Sequence, residues 1–450
     1  KTRARSPILS WAGQATATTA LDSGTGTGSP WLYGLDMLLK LGVPFQDGIA
    51  RITGMWSGER KLGVGAPGFG AGDGGFEVPA PVNSSALPGD AGFEGGFVEV
   101  LNGSESMNMV SGSPVAANTY AADHMVRNGT AASAIPGYRG FLCAFLFGQT
   151  GGDAIKWYVG AQPQPNAYSF EVTAYPTDTG ASSLIGDDVN PATVLFDLLT
   201  GNVGKLGLPT SALDLASFSA AFATLNTEGH GMSRCWDGQE TAQELIEEIL
   251  RQVDGVLYED PTTGLIVLKL IRADYDPNAL LVINPSNCKE LQNFAASGWT
   301  DIPNKVIVKF TDRANNYREG IAIAQSDANA VGQDGEIHEV TLDMPGICTQ
   351  ELADQIASRE LQARSRPLMK LRAIVNRSFL RVNPGDVVTL TWPEANISRI
   401  VFRVAAVGRG TLESNLIALD LIQDYFYQWR RLHPTPPSHI GLGSVIAFGG

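Results

Sequence analysis

The stretch from Asn190 to Arg272 constrains the fold most, because dense helix signals in it are followed by strand signals. Asn190-Pro191 places an N-cap residue before a proline at the first helical position. Apolar residues at helical spacing then predict a short helix over Ala192–Thr200. Glycines end that helix, and Asp214 can cap a second one over Ser217–Leu225.

A third helix and a hairpin complete this stretch. Asp237 and Glu240 have the spacing of a capping box ahead of a helix over Thr241–Val253. Gly255–Gly264 and Leu265–Arg272 read as two strands joined by a turn that contains aspartate, proline and glycine. Together the three helices and the hairpin predict one compact α+β module.

The C-terminal third predicts a second β region with one helix. Thr349 can cap a helix over Gln350–Arg364, which Pro367 ends. The strands predicted around it by alternation and turn residues are Lys305–Phe310, Glu336–Leu342, Leu368–Ser378, Val387–Trp392, Ile400–Val407 and Asn415–Leu421, with a turn at Asn383–Asp386.

The N-terminal part is rich in glycine and strand-like runs. Residues 1–30 are small and polar without periodicity, so we expect an extended arm that a neighbour must order. Gly48–Gly54, Phe141–Phe147 and Tyr168–Tyr175 predict strands. The glycine-rich run Gly65–Gly75 lacks the lysine of a phosphate-binding loop and is interpreted as a loop.

Composition supports a mainly β fold of several domains. The chain has 450 residues, 44% of them hydrophobic, with 51 glycines and 25 prolines. A length of this order accommodates roughly three or four domains of about 100–200 residues. No apolar run reaches about 18 residues, so we expect no membrane-spanning helix.

The net charge of −14 argues against tight nucleic-acid binding, because such binding needs clustered lysine and arginine. Residues 181–275 hold 14 acidic and 5 basic residues and so carry most of the excess. An acidic wall would let DNA slide through a channel without trapping it, but a merely solvated face has the same composition.

Cysteines give no sign of a metal site. Cys143, Cys235, Cys288 and Cys348 are far apart, without a CxxC pair or a histidine at ligand spacing. We expect buried, reduced thiols, with a disulfide or a four-cysteine site as open alternatives.

Few residues suggest catalysis. Glu240, Glu244, Glu247 and Glu248 are paired only in sequence and are expected to form a solvated helix stripe without a raised pKa. His230, between two glycines, is interpreted as an exposed turn residue. Ser233, Ser286 and Ser297 lie in no nucleophile elbow, and Arg139 is expected to bond loop carbonyls. We therefore predict no catalytic, cofactor or metal residues.

The order of several motifs resembles the central tail hub family. They are Asn190–Thr200, Gly204–Pro209, Leu213–Phe218 and Trp236, preceded by Gly92–Gly103, Ile135–Gly140 and Tyr158–Pro163. This family includes tip attachment proteins of long-tailed bacteriophages and hub proteins of gene transfer agents. The resemblance extends over roughly residues 31–425.

The resemblance implies an α+β, mainly β fold of baseplate-hub-like domains with antiparallel β-barrels and an inserted helical module. It also implies the domain order: an extended arm (1–30), a β-rich inserted hub domain (31–185), an α+β hub module (186–275), a β-barrel hub region with one helix (276–428) and an extended exit linker (429–450). Pro434–Pro437 would favour polyproline II in that linker.

The function implied by the resemblance is structural. A homotrimer would close the tail tube at the distal end of a virion tail and open for genome passage, with DNA passing transiently. Its partners would be the distal tail protein ring, the tape measure protein, other tail-tip or receptor-binding proteins and, indirectly, a host receptor. We expect no enzyme. The open alternatives are a tail-associated or secreted hydrolase of cell-wall polysaccharide or peptidoglycan, which would need convergent carboxylates, and an adhesin-like β protein without a tail.

Overall fold

The computed structural model describes most of residues 184–427, without 202–204, 237–239, 297, 299–301, 333–334, 396 and 412–413. Before them it describes residues 2–4, 8–12, 16–19, 31–42, 48–58, 60–62, 67–69, 75–78, 94–101, 121, 124–126, 129–131, 134–135, 138, 140–147, 158–160 and 167–176. Arg139, Ser297, most of the Gly65–Gly75 loop and the exit linker expected over 429–450 lie outside these residues.

The N-terminal part of the chain forms two antiparallel sheets. Its strands are β1 (Thr2–Ala4), β2 (Ile8–Ala12), β3 (Thr16–Thr19), β4 (Trp31–Gly34), β5 (Met37–Gly42), β6 (Gly48–Ser57), β7 (Arg60–Lys61), β8 (Pro67–Phe69), β9 (Gly75–Val78), β10 (Glu94–Leu101), β11 (Leu142–Phe147), β12 (Tyr158–Gly160) and β13 (Tyr168–Pro176). One sheet has the order β1-β13-β6-β7. The other runs β2-β5-β11-β10-β12-β4-β3, with β9 on β10 and β8 on β9. The strands predicted at β6, β11 and β13 are confirmed.

The described parts of residues 1–30 differ from the predicted arm. β1 pairs with β13, β2 with β5 and β3 with β4, all within the chain. The physical reason is that a strand needs partners for its backbone groups, and this chain's own sheets supply them. A neighbouring molecule is therefore not needed to order these three strands.

Strand β11 is buried on both faces, which explains its unbroken apolar sequence. Leu142, Ala144 and Leu146 pack with strands β5, β6, β10 and β13. Cys143 and Phe145 on the opposite face pack with Leu38, Leu101, Ala121, Met125 and Phe147.

The central module has the predicted order of helices and hairpin. It consists of β14 (Leu184–Ile185), β15 (Asp188–Val189), α1 (Pro191–Thr200), α2 (Leu215–Glu228), α3 (Ala242–Val253), β16 (Gly255–Glu259) and β17 (Ile266–Leu270). The Asn190 side chain accepts a hydrogen bond from Ala192 N at 3.0 Å, and its amide donates to Phe222 O at 3.0 Å, which ties α1 to α2. One core joins the helices and the hairpin.

The capping box predicted from Asp237 and Glu240 is wrong. Helix α3 is capped by Thr241, whose hydroxyl accepts from Glu244 N while Glu244 accepts from Thr241 N. Thr241 and Glu244 have the same capping-box spacing as Asp237 and Glu240. Thr241 lies four residues after Asp237, directly before the first helical residue.

The C-terminal part combines an open half-barrel with a smaller sheet. Its elements are β18 (Leu281–Ile283), β19 (Cys288–Ala296), β20 (Lys305–Asp312), β21 (Arg318–Gln325), α4 (Asp327–Gly332), β22 (Glu339–Asp343), α5 (Gln350–Arg364), β23 (Met369–Asn376), β24 (Val387–Trp392), β25 (Ile397–Gly408) and β26 (Leu416–Gln423). The half-barrel has the order β18-β24-β25-β26-β23-β19 and its own core. Strand β24, which was predicted with its observed bounds, lies between β18 and β25. The short parallel strand β18 covers it.

The smaller sheet has the order β21-β20-β22 and packs against α5. Gly320 on β21 is opposite Phe310 on β20, and a Cβ at residue 320 would lie 2.6 Å from the Phe310 ring, so only glycine fits. Strand β22 begins at Glu339, three residues later than predicted. Thr349 occupies the N-cap position of α5 without a side-chain capping bond.

The fold class is therefore mainly β with helices, as predicted. Among the described helices, none has both the length and the apolar character needed to cross a membrane.

Candidate functional site

The four glutamates of the α3 region have structural partners. Glu240 lies 2.5 Å and Glu248 3.3 Å from the Arg234 guanidinium. Glu247 accepts from Gln243 at 2.9 Å, and hydrogen bonds from Thr241 lower the pKa of Glu244. The expectation of a fully solvated stripe is wrong for Glu248, because burial raises its pKa even though the nearby Arg234 lowers it. The group nearest to the Glu248 carboxylate is the Arg234 guanidinium, so this pair is an ion pair and not the pair of carboxylates that a hydrolase site needs.

The four cysteines form no disulfide with one another within the described residues, and the structure corrects the expected burial of one of them. Cys143, Cys288 and Cys348 are buried, whereas Cys235 is exposed. Burial raises the pKa of the Cys143 thiol to about 12, which makes it inert as a nucleophile. No group of histidine, cysteine, aspartate or glutamate within the described ranges could hold a metal ion.

The serines also have structural roles where they are described. Ser286 donates to Asn284 in a loop. Ser233 is buried and donates to Asp188 Oδ1 at 2.6 Å. Neither bond links a serine to a histidine, so neither forms a nucleophile-base pair.

Ser233 belongs to a buried cluster that joins the central module to the C-terminal part. We call it the Asp188 junction and define it by Asp188, Ser233, Arg313 and Cys348. Arg313 forms an ion pair with Asp188 and lies 3.4 Å from Ser233 Oγ. Arg313 N donates to Cys348 O at 3.2 Å, and Cys348 Sγ donates to Ser233 O at 3.4 Å.

Charge and packing both fix the junction. Burial lowers the pKa of Arg313, but the Asp188 charge outweighs it and the pKa is raised overall. Burial and Asp188 raise the pKa of the Cys348 thiol to about 11. A Cβ on Gly231 would lie 2.5 Å from Asp188 Cβ, so the backbone approaches this carboxylate closely.

The turn that carries Arg313 also contacts the N-terminal part. Tyr317 has a φ of 61°, which is uncommon for a bulky residue and marks local strain. Its ring lies edge-on to Trp56 of β6, with ring centroids 6.5 Å apart. The β20–β21 turn therefore touches both the central module and the N-terminal sheets.

A second cluster lies where the chain leaves the half-barrel. We call it the exit network and define it by Arg272, Arg359, Arg403, Asp424 and Tyr275. Asp424 accepts from Arg403 Nε at 2.9 Å and from Tyr275 OH at 2.8 Å, and Arg403 donates to Arg272 O at 3.0 Å.

The other two arginines cap the end of helix α3. Arg272 donates to Val253 O at 3.1 Å, and Arg359 of α5 donates to Gln252 O at 3.1 Å. Arg272 also pairs with Glu228 at the end of α2, at 2.6 Å. Cations at a helix C-terminus satisfy its last carbonyls and complement its dipole. The exit network thus links α2, α3, α5 and the half-barrel.

His230 is buried beside this network, which corrects its interpretation as an exposed turn residue. It is 4% exposed, and its Nε2 has no hydrogen-bond partner among the described residues. Burial, then the charges of Arg359 and Arg272, lower its pKa to about 3.

This burial predicts a pH-dependent stability. The pKa of His230 in the folded chain is below the unfolded value of about 6.5, so only the unfolded chain takes up the proton as pH falls below that value. The His230 contribution is fully present above pH 6.5 and decreases as pH falls towards 3. Between pH 7.5 and 5.5 we expect the wild type to lose about 1.4 kcal/mol of unfolding free energy that a His230→Gln variant keeps.

Urea denaturation of both proteins at the two pH values measures this difference. Burial raises the pKa of Asp254 despite the nearby arginines. Because Asp254 is present in both proteins, its effect on the free energy of unfolding cancels in the comparison. Parallel pH profiles for wild type and variant would contradict the buried neutral histidine.

Sequence analysis identified Ser233 and His230 but none of their charged neighbours. Arg313 is 125 residues from Asp188, and Tyr275 is 149 residues from Asp424, so no local spacing connects them. A signal exists for Arg403, which is a charged residue within the otherwise apolar run Ile400–Val407.

Comparison with known proteins gives a family match for part of the chain and a fold likeness for most of it. Residues 241–407 match the family model Phage-tail_3, described as a putative phage tail protein. No curated protein sequence matches the chain. A chain from the virion of a native gene transfer agent (GTA) particle is similar at a TM-score of 0.53 and 15% identity, over 94% of this chain and 82% of that one.

Two further solved structures are similar over a shorter part. A tail protein from Neisseria meningitidis MC58 covers 43% of this chain and 59% of its own at a TM-score of 0.31 and 13% identity. The 43 kDa tail protein of prophage MuSo2 from Shewanella oneidensis is similar over 43% of this chain and 55% of its own, at a TM-score of 0.29 and 14% identity. Residues 241–407 thus match a phage tail protein family, and most of the chain shares its fold with a component of a gene transfer agent particle.

Proposed function

We propose that the chain is a structural protein of a phage-type tail, and that it forms the central hub at the distal end of that tail. The observation that carries the proposal is the likeness to a gene transfer agent component over 94% of the chain, combined with the tail-family match over residues 241–407. In this role three copies close the tail tube and open it for genome passage.

The two buried clusters support a mechanical role. In the Asp188 junction and the exit network, several charge-assisted hydrogen bonds connect the central module to the C-terminal part of the chain. Parts joined in this way move together, so a displacement of the half-barrel is transmitted to the central module. Such coupling suits a protein that converts contact at a tail tip into opening of a tube.

The proposed partners follow from the position. The hub contacts the distal tail protein ring and the tape measure protein on the tube side, and other tail-tip or receptor-binding proteins on the cell side. DNA passes through without specific binding, in line with a net charge of −14. We propose no enzymatic activity, because the described candidate carboxylates and serines have structural partners.

Labelling assembled particles tests the proposal. Particles that carry an epitope-tagged chain are expected to bind gold-labelled antibody at the distal tail end only. Mass photometry of the isolated chain is expected to show a species of three times its 47.8 kDa. Label along the tube or at the head, or a strictly monomeric chain within tails, would overturn the hub role.

A further inference from the structure

The sheet β21-β20-β22 is covered by α5 on one face only. Val306, Val308 and Phe310 of β20 face the helix. On the opposite face Ile307 is directly opposite Ile323, and Ile321 is opposite Lys309. Ile321 is 52% exposed and Ile323 57% exposed. Apolar side chains adjacent on a sheet surface mark a site where something else packs.

Two ion pairs border this apolar face. Lys305 lies 3.2 Å from Glu339, and Lys309 lies 3.3 Å from Glu319. The lysines and the glutamates neutralise each other at the two ends of the face. An occupant of its centre therefore needs to be apolar and uncharged.

Residues 320–325 of strand β21 also lie at the edge of this sheet. Their only partner among the described strands is β20, and they carry no charge. A long uncharged edge strand is a template for the addition of another strand, and proteins usually blunt such edges with charges or prolines. Residues 320–325 of β21 contain neither a charged residue nor a proline.

The chain itself contains a segment with the matching pattern. Residues 432–450 contain no Asp, Glu, Lys or Arg. In the run Ile440–Gly449, every second position from Ile440 to Phe448 is apolar except Ser444, and the alternate positions are glycine, valine and alanine. This is the period of a strand with one apolar face and one small face.

We propose that residues 440–448 of a neighbouring copy of the chain add as a strand to the free edge of β21 and cover Ile321 and Ile323. Backbone hydrogen bonds to β21 would supply affinity, and the apolar side chains of the segment would supply the fit. The proposal rests on the hub function, because it specifies the surface by which hub copies hold one another.

The position of the exit favours a neighbouring copy over the same chain. Asp424 accepts a hydrogen bond from Tyr427 N and ties the end of β26 to the exit network. That network reaches α5 through Arg359, on the side of the small sheet that the helix covers. The isoleucine face lies on the opposite side of the sheet from α5. To reach it, residues 440–448 of the same chain would have to pass around their own sheet, which favours a neighbouring copy.

Cysteine cross-linking between two differently tagged chains tests the proposal. One chain carries Ile323→Cys and the other Ile446→Cys, both in a Cys235→Ser background that removes the exposed thiol. Because each chain has one introduced cysteine, a disulfide between the two positions must join two molecules. We expect a reducible species that contains both tags after mild oxidation of co-expressed chains.

A matched control replaces Ile323→Cys by Val282→Cys, which is exposed on β18 at the edge of the half-barrel. We expect no mixed-tag species with it. If Ile323→Cys and Ile446→Cys cross-link only when both are in the same chain, or do not cross-link at all, the proposal is wrong. Trimers by mass photometry without the cross-link would overturn this surface alone, whereas a monomeric chain would also count against the hub.

A second measurement does not depend on cysteines. The double change Ile321→Ser with Ile323→Ser alters only exposed side chains, so the fold is retained. We expect loss of the trimeric species in mass photometry and an unchanged thermal midpoint of the dilute monomer. Trimers that persist in this variant would contradict the proposal.

Discussion

Replacing Arg313 by alanine is expected to lower the free energy of unfolding by about 3 kcal/mol, because it leaves the Asp188 carboxylate buried without its cation. Among the described residues, Ser233 then remains as the side-chain hydrogen-bond partner of that carboxylate. The change also removes the link between the β20–β21 turn and the central module. Urea denaturation followed by tryptophan fluorescence measures the effect.

An exposed ion pair supplies the control. Arg372 and Asp420 lie 3.6 Å apart with side chains 43% and 49% exposed, so Arg372→Ala is expected to cost less than about 1 kcal/mol. Adding Asp188→Asn to Arg313→Ala removes the stranded charge and is expected to recover part of the loss. Equal effects of Arg313→Ala and Arg372→Ala would mean that the Asp188 junction contributes little.

Sequence analysis predicted helices α1, α2, α3 and α5 and the hairpin of β16 and β17, because their determinants are local. The N-caps of α1 at Asn190 and of α2 at Asp214 are set within a few residues. Helix α5 was predicted with its observed bounds, Gln350–Arg364, because Pro367 follows it closely. Strand β22 begins three residues later than predicted, because element ends are the least certain part of a prediction from sequence.

The features that sequence analysis missed depend on contacts between distant residues. His230 looks exposed because glycines flank it, but Gly229 adopts a φ of 67° and His230 N bonds Leu225 O at 2.9 Å. This helix ending places the imidazole within the packed module instead of in solvent. The pairing of β18 with β24 was missed for a similar reason, because a three-residue parallel strand is not joined to its partner by a hairpin and has no local sequence pattern.

The candidate site was beyond prediction for the same reason. A buried ion pair is recognised by the burial of both partners, and burial is a property of the folded chain. Sequence analysis considered Ser233 as a nucleophile and predicted no such role for it. It could not identify Asp188 and Arg313 as neighbours of Ser233, since they come from β15 and from the turn after β20.

Replacing Asp424 by alanine is expected to cost about 3–5 kcal/mol of unfolding free energy, because this carboxylate holds the exit network together. Asp424 is 2% exposed and accepts from Arg403, Tyr275 and Tyr427. Without it the buried guanidinium of Arg403 keeps only carbonyl acceptors, and the Tyr275 hydroxyl loses its carboxylate. The measurement is again urea denaturation at neutral pH.

Strand β26 provides the matched control in Asp420, four residues before Asp424 and paired with the exposed Arg372. Asp420→Ala removes the same kind of carboxylate from within β26, whereas Asp424 follows the last residue of that strand. We expect a loss below about 1 kcal/mol, because the Asp420 side chain is exposed. Asp424→Asn should fall between the two, because an amide oxygen still accepts one hydrogen bond while its NH2 group faces other donors. If Asp424→Ala and Asp420→Ala destabilise the chain equally, the exit network contributes little to joining the half-barrel and the central module, and it transmits no displacement between them.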